Sequence, residues 1–133
     1  MMEQLKVAGV NYISNRKINL GVDAVMFDID DTLIFTDGRP NVPIIDLLYI
    51  SSLKGYKVVI ITARRGVPRV IDFTVDQLKE YNIMYDYLGF TSPETKGIMK
   101  EKLPYNFVLS VGDMHTDLTA SEHWLNISTF FHS

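Results

Sequence analysis

The feature that most restricts the fold is the alternation of short β-branched runs with longer stretches of helical periodicity. The strand-like runs cover residues 24–29, 57–61, 85–90, 107–111 and 127–131. Helical stretches are predicted from an N-cap at Asn41 to Gly55, over residues 68–81, from residue 92 to before Pro104, and over residues 116–125. Strands that alternate with helices predict a mostly parallel sheet covered on both faces.

No internal repeat, low-complexity tract or linker interrupts the 133 residues, which indicates one α/β domain over residues 1–133. Residues 1–20 fit the pattern less well, and for them we expect a short helix or an edge strand beside the core. The chain has no cysteine, which excludes a disulfide framework, a thiol nucleophile and a Cys-based metal site.

The start of the chain lacks the long apolar stretch of a secretory signal, and the longest aliphatic run, residues 58–61, is too short to cross a bilayer. We therefore expect a cytoplasmic protein without a membrane partner. A net charge of −3 gives no general attraction to nucleic acid, although a local basic patch is compatible with it.

Polar residues collect at the points where the predicted strands end. Asp28, Asp30 and Asp31 follow the first strand, Thr62 closes the second, and Asp113 and Asp117 follow the fourth. In an open parallel sheet the ligand crevice lies at the carboxyl ends of the strands, so these side chains are expected to converge there. So many carboxylates repel one another unless a cation neutralises them, and Mg²⁺ is the usual oxygen-liganded dication where phosphate is bound. A single Asp at a strand end would instead indicate a turn or a helix cap.

Four segments resemble the motifs of the haloacid dehalogenase superfamily. Residues 28–33 (DIDDTL) have its DxDx[TV]L pattern, and residues 61–64 (ITAR) are similar to its second motif, a Thr or Ser at the end of a hydrophobic strand. Lys96 opens a predicted helix where the third-motif lysine is expected, with Lys100 and Lys102 as rivals. Residues 112–117 (GDMHTD) resemble the fourth motif, GDxxxD. The motifs occur in family order over about two-thirds of the chain.

The resemblance implies a phosphatase or phosphotransferase that works through a covalent intermediate. Asp28 would attack the phosphoryl group and become a phospho-aspartate. Asp30 would act first as general acid to the leaving group and then as general base that activates water. Thr62 would donate a hydroxyl to a phosphoryl oxygen, and Lys96 would neutralise charge. The Asp at position 30 argues against dehalogenase chemistry.

The cofactor that the resemblance implies is Mg²⁺. Its ligands would be Asp28, the backbone carbonyl of Asp30, and Asp113. Asp117 is expected either as a further ligand or as a residue that orients Lys96.

Three residues are candidates for substrate binding: Thr32, Arg64 and Arg65. Thr32 is expected to fix the loop of the first motif. Arg64 and Arg65 directly follow the Thr62–Ala63 pair of the second motif and could reach a second phosphate or a nucleic-acid backbone, since Arg grips phosphate bidentately. The alternative is a solvated pair that opens the next loop.

Family members that act on small metabolites often carry a cap domain inserted after the first or the second motif. Here the intervals from Asp28 to Thr62 and from Thr62 to Lys96 hold only core helices and a strand. The implied fold is a capless, three-layer α/β/α Rossmann-like core with a sheet of about five strands and an open site. Such an enzyme would act on a large phosphorylated substrate such as a nucleic-acid end. Otherwise it would form an oligomer whose neighbouring subunit supplies the lid, and would act on a nucleotide or a sugar phosphate.

Other classes of protein share parts of this pattern. Phospho-accepting receiver modules also group Asp, Thr and Lys around magnesium, but their phosphorylated Asp ends the third strand, and that order does not match this chain. A non-catalytic binding protein on the same fold is less favoured, because no essential motif position is missing. Phosphotransfer to an acceptor other than water stays open.

Overall fold

A five-stranded parallel sheet forms the centre of the computed structural model, which describes residues 2–130. The strands are β1 (Asp23–Phe27), β2 (Lys57–Thr62), β3 (Tyr87–Phe90), β4 (Asn106–Gly112) and β5 (His123–Asn126). The helices are α1 (Met2–Ser14), α2 (Val42–Lys54), α3 (Pro68–Glu80), α4 (Lys96–Lys102) and α5 (His115–Leu118). Single 3₁₀ turns cover Pro93–Thr95 and Ile127–Phe130.

The strand order is β3-β2-β1-β4-β5, and all neighbouring strands run parallel. The chain builds outward from β1 through β2 to β3, then returns to the other side of β1 for β4 and β5. The topological switch point therefore lies between β1 and β4, where ligand crevices of open α/β sheets form. The predicted α/β fold with a parallel sheet of about five strands is confirmed, and no cap domain interrupts residues 2–130.

Helices cover both faces of the sheet because successive side chains of each strand point to opposite faces. On one face Phe27 of β1 packs in a cluster with Leu47 of α2 and Leu78 of α3. On the other face Met26 of β1 packs in a second cluster with Met99 of α4. The helix α1 lies against α2, so the helix that we expected as one alternative for residues 1–20 is present. No helix within residues 2–130 has the length and apolar character needed to span a bilayer.

The prediction for the last part of the chain is wrong. Instead of a helix over residues 116–125, α5 ends at Leu118 and residues 123–126 form the edge strand β5. A 3₁₀ turn occupies residues 127–130, where a strand over 127–131 was predicted, and residue 131 lies outside the described residues. Leu118 and Leu125 are seven positions apart, which mimics a helical repeat. Within the short β5, Leu125 alone is buried, so the alternation typical of a strand is weak.

A buried carboxylate at the start of β1 ties the sheet to the segment that follows α1. Asp23 is fully buried and accepts hydrogen bonds from Arg16 Nη2 (3.2 Å), the backbone N–H of Asn19 (2.9 Å) and Asn106 Nδ2 (3.0 Å). Burial acts to raise the pKa of this carboxyl, but the hydrogen bonds from Asn19 and Asn106 and the charge of Arg16 outweigh it, so the pKa is lowered.

We expect Asp23→Asn to lower the free energy of unfolding by about 2 kcal/mol at pH 7, because it leaves Arg16 and its neighbours without a charged partner. A lowered folded-state pKa means that the carboxylate stabilises the fold above its unfolded pKa of about 4, and that this contribution is lost as the pH falls further. Urea unfolding at pH 7 and at about pH 3 measures both effects. Asp72→Asn, at an exposed position on α3, is the matched control. An equal loss at both pH values would show that the charge of Asp23 is not the source.

Candidate active site

Asp28 lies at the carboxyl end of β1, beside the switch point. It directly follows the last residue of the strand, and its backbone N–H donates to the carbonyl oxygen of Val111 in β4 (3.0 Å). This hydrogen bond extends the β1–β4 pairing by one step and fixes the direction of the Asp28 side chain. The residue is 5% exposed, so its side chain is buried at the carboxyl edge of the sheet.

Lys96, the first residue of α4, lies between two carboxylates. Its Nζ donates to Asp28 Oδ1 (2.8 Å) and to Asp117 Oδ1 (2.5 Å), and the residue is 1% exposed. Lys100, the rival of Lys96 in the sequence, is equally buried but lies elsewhere. Its Nζ donates to Ser110 Oγ (2.8 Å) and to the carbonyl of Asp117 (3.0 Å). Among the candidate lysines, Lys96 is therefore the one in contact with Asp28.

The fourth motif bends sharply around Asp117. Asp117 Oδ2 accepts a hydrogen bond from the backbone N–H of Met114 (3.1 Å), which closes the turn into α5. Gly112 lies directly against this side chain, because a Cβ built on it would stand 2.4 Å from Asp117 Cβ. The Gly at the start of GDxxxD is thus required for Asp117 to lie inside the site. Asp113, between them, is partly buried.

The carboxylates of Asp28, Asp113 and Asp117 form a group that fits a divalent cation. Each offers one oxygen, and the three oxygens lie within 4.8 Å of one another. Three carboxylates beside the single ammonium of Lys96 carry a net charge of −2 when ionised, which a hard, oxygen-liganded dication would neutralise. Both oxygens of Asp117 already accept hydrogen bonds, so Asp28 and Asp113 are the more available ligands.

Burial and neighbouring charges shift the pKa values in this group. Burial raises the pKa of Asp28 well above its usual range, the charge of Asp117 adds to this, and Lys96 opposes it. Burial likewise raises the pKa of Asp113. Burial acts to lower the pKa of Lys96, but the charges of Asp28 and Asp117 outweigh it, so Lys96 stays protonated. Burial is thus the main cause of the raised pKa values of Asp28 and Asp113, and the charges of Asp28 and Asp117 keep Lys96 protonated.

Asp30 does not belong to the group of Asp28, Asp113 and Asp117, although the sequence predicted that all the acids converge in one crevice. Its side chain is 56% exposed and forms a bidentate ion pair with Arg64, through Nε to Oδ2 (3.1 Å) and Nη2 to Oδ1 (2.8 Å). The next residue, Asp31, has a φ of +58°, so the extended path of β1 does not continue. Asp31 itself turns to Thr36, whose backbone N–H (2.9 Å) and hydroxyl (2.7 Å) donate to it. Asp30 therefore lies on the β2 side of Asp28.

Side chains of α3 also bind Arg64. Its Nη1 donates to Thr74 Oγ1 (3.1 Å) and Gln77 Oε1 (2.8 Å), and its guanidinium lies 5.9 Å from the ring centre of Phe73. Thr74 and Gln77 are not among the site residues predicted from the sequence. The available signal was their spacing, since residues three apart share a helix face. The role expected for Arg64 was contact with a phosphate, whereas here its contacts position Asp30.

The remaining candidates differ in their exposure. Thr62 is fully buried at the end of β2, and its hydroxyl accepts a hydrogen bond from the backbone N–H of Arg64 (3.1 Å). Thr32 is also fully buried, and its carbonyl accepts from Asn41 Nδ2 (2.9 Å), so it lies beneath the first-motif loop. Arg65 is exposed.

No family model matches the sequence, and no curated protein does. Solved structures are similar. A chain of a Pnkp1/Rnl/Hen1 complex is 22% identical over 77% of this chain and 43% of that chain, with a TM-score of 0.60. A chain of the Pnkp1/Rnl/Hen1 RNA repair complex is 22% identical over 78% and 41%, with a TM-score of 0.62. A class C acid phosphatase from Bacillus anthracis, solved with tungstate bound, is 18% identical over 89% and 65%, with a TM-score of 0.62.

At these identities the similarity shows a shared fold. The present chain spans less than half the length of the two chains from the Pnkp1/Rnl/Hen1 complexes and 65% of the acid phosphatase chain. The three-layer fold that the four motifs predicted is confirmed.

Proposed function

We propose that this chain, which has the haloacid dehalogenase fold, is a magnesium-dependent phosphomonoesterase that forms a phospho-aspartate on Asp28. One observation carries the proposal. A buried aspartate at the switch point contacts a buried lysine at 2.8 Å, within a group of three carboxylates whose oxygens lie within 4.8 Å of one another. A carboxylate that serves only the fold would not need a buried lysine and two further acids beside it.

Asp28 and Asp113, with the backbone carbonyl of Asp30, would hold the magnesium ion, and Asp117 is a further candidate ligand. When bound, the ion would draw negative charge from the phosphoryl oxygens. Asp117 also orients Lys96 through the 2.5 Å hydrogen bond that it accepts.

In the first step a carboxylate oxygen of Asp28 attacks phosphorus while the bond from phosphorus to the leaving oxygen breaks. Asp30 gives its proton to that oxygen, so the leaving group departs as an alcohol. In the second step water attacks phosphorus, Asp30 takes a proton from it, and the bond between phosphorus and Asp28 breaks to release phosphate. Lys96 and the hydroxyl of Thr62 face the charge that develops on the phosphoryl oxygens.

As substrate we propose a phosphorylated nucleic-acid end. Residues 2–130 hold no cap domain that would enclose a small molecule, and one of the similar chains comes from an RNA repair complex. A nucleotide, a sugar phosphate, or transfer to an acceptor other than water would use the same residues, and a substrate panel separates them. We further propose that the protein acts in the cytoplasm, free or in an oligomer.

Removal of metal tests the proposal directly. With an aryl phosphate as substrate, we expect turnover in Mg²⁺, a loss of at least about 100-fold in EDTA, and recovery when Mg²⁺ is restored in excess. The magnesium ligands proposed here are few and rigidly placed, so Ca²⁺ is not expected to restore the rate. The same rate with and without metal would contradict the metal assignment. Binding of Mg²⁺ without any turnover would favour the non-catalytic alternative.

A further inference from the structure

The two adjacent arginines after Thr62 face different surroundings. Arg64 is 14% exposed at its side chain and donates to Asp30, Thr74 and Gln77. Arg65 is exposed and forms no ion pair within residues 2–130. If a second anionic group of a substrate binds to this loop, Arg65 is the cation that is free to receive it.

Arg65 borders a pocket of about 420 Å³ between the loop after β2 and the end of β3, which we call the β2–β3 pocket. Its apolar walls include Val67, Phe90 and Pro93. Gly66 lies against one wall, because a Cβ built there would stand 3.3 Å from Phe90 Cβ. The volume is in the range of small-ligand sites. The pocket therefore combines apolar surface with one unpaired positive charge.

The position of Asp30 indicates that the β2–β3 pocket lies on the side of the site from which the leaving group departs. A general acid must contact the leaving oxygen, and the ion pair with Arg64 holds Asp30 on the β2 side of Asp28. The pocket begins at the same loop, and the backbone N–H of Thr91 donates to the carbonyl of Thr62 (3.0 Å), which joins its two sides. The ends of β1 and β3 are two strand spacings apart, about 10 Å.

We infer that the β2–β3 pocket binds the leaving group, and that this group is a nucleotide whose adjoining backbone phosphate pairs with Arg65. This inference rests on the proposed phosphatase function. A base has a flat apolar face suited to Val67, Phe90 and Pro93, and a phosphodiester supplies the anion that Arg binds best. A sugar phosphate offers neither feature. When the bond from phosphorus to the terminal sugar oxygen breaks, Asp30 protonates that oxygen, and the nucleotide leaves through the pocket.

The experiment compares kcat/KM for an aryl phosphate with that for dinucleotides phosphorylated at the 3′ or the 5′ end. We expect the wild type to prefer one of the dinucleotides over the aryl phosphate, and an abasic analogue of it to lose about tenfold. Arg65→Ala is expected to lower kcat/KM for that dinucleotide by about 10- to 50-fold, mainly through KM, and to leave the aryl phosphate within about twofold. The loss should shrink in high salt. Arg69→Ala, an exposed charge on α3 outside the pocket, is the matched control and should change neither rate.

The outcomes separate the two proposals. If neither substrate is hydrolysed in Mg²⁺, the phosphatase function itself is wrong. If the aryl phosphate is hydrolysed but no dinucleotide is preferred, the inference about the pocket is overturned and the phosphatase stands. The same holds if Arg65→Ala lowers both rates equally, or if a phosphopeptide is preferred over the dinucleotides.

Discussion

Replacing Asp28 with Asn is expected to lower kcat by at least about 10⁴-fold, because the amide cannot form the acyl phosphate on which both steps depend. Asn has nearly the same volume as Asp. Its amide oxygen can still accept the hydrogen bond that Lys96 Nζ donates to Asp28 Oδ1 in the wild type (2.8 Å). The loss should therefore be one of chemistry, with the fold intact. The phosphorylated intermediate should also disappear. Rapid acid quenching followed by peptide mass spectrometry should find a phosphoryl group on the wild-type segment 24–33 and none in the variant.

Two measurements keep this result interpretable. Circular dichroism and thermal unfolding of the metal-free variant should match the wild type, since burial already disfavours the ionised form of Asp28. A variant that is folded and as active as the wild type would show that Asp28 is not the nucleophile. A phosphoryl group found on another residue would show the same.

Replacing Asp30 with Asn is expected to lower the rate much more for substrates with poor leaving groups than for substrates with good ones. An alkoxide must be protonated as it departs, so kcat for an alkyl phosphate should fall by about 10²- to 10⁴-fold. An aryl oxide is stable without protonation, so the first step with an aryl phosphate should change little. Any remaining loss would then lie in the hydrolysis of the intermediate, where Asp30 acts as base. Single-turnover and steady-state rates on the two substrates measure the two steps.

Asp31→Asn is the matched control, because it removes a carboxylate next to Asp30 without touching Arg64. Its contacts run to Thr36, and we expect both substrates to keep their rates within about threefold. If Asp30→Asn lowers the first step equally for alkyl and aryl phosphates, Asp30 is not the general acid. The ion pair with Arg64 would then serve only to hold the loop.

The features that the sequence predicted are those set by local order along the chain. Buried β-branched runs such as residues 57–61 favour central strands, and the acids after the first and fourth strands then lie at the carboxyl edge of the sheet. Lys96 was preferred over Lys100 and Lys102 because of the resemblance, and in the structure it is the lysine that contacts Asp28.

The direction of Asp30 could not be predicted, because it depends on how a loop turns in space. The positive φ of Asp31 ends the extended path, and the rotation of α3 about its axis brings Thr74 and Gln77 to Arg64. Neither follows from spacing along the chain. The edge strand β5 was not predicted for a different reason: only Leu125 of its four residues is buried, so hydrophobic periodicity, the main signal for a strand, is weak there.

The helix α4 carries two buried lysines four positions apart, on one side of a helix of seven residues. Lys96 places its charge on Asp28, and Lys100 holds the carbonyls of Asp117 and Thr119 at the end of the one-turn helix α5. The helix α4 therefore contacts both the proposed nucleophile, Asp28, and the backbone that ends the fourth motif. Because both lysines belong to one short helix, a change that shifts α4 along its axis alters the contact with Asp28 and the contact with the carbonyl of Asp117 together. Substitutions that move α4, and with it the charge beside Asp28, therefore also change the position of Asp117.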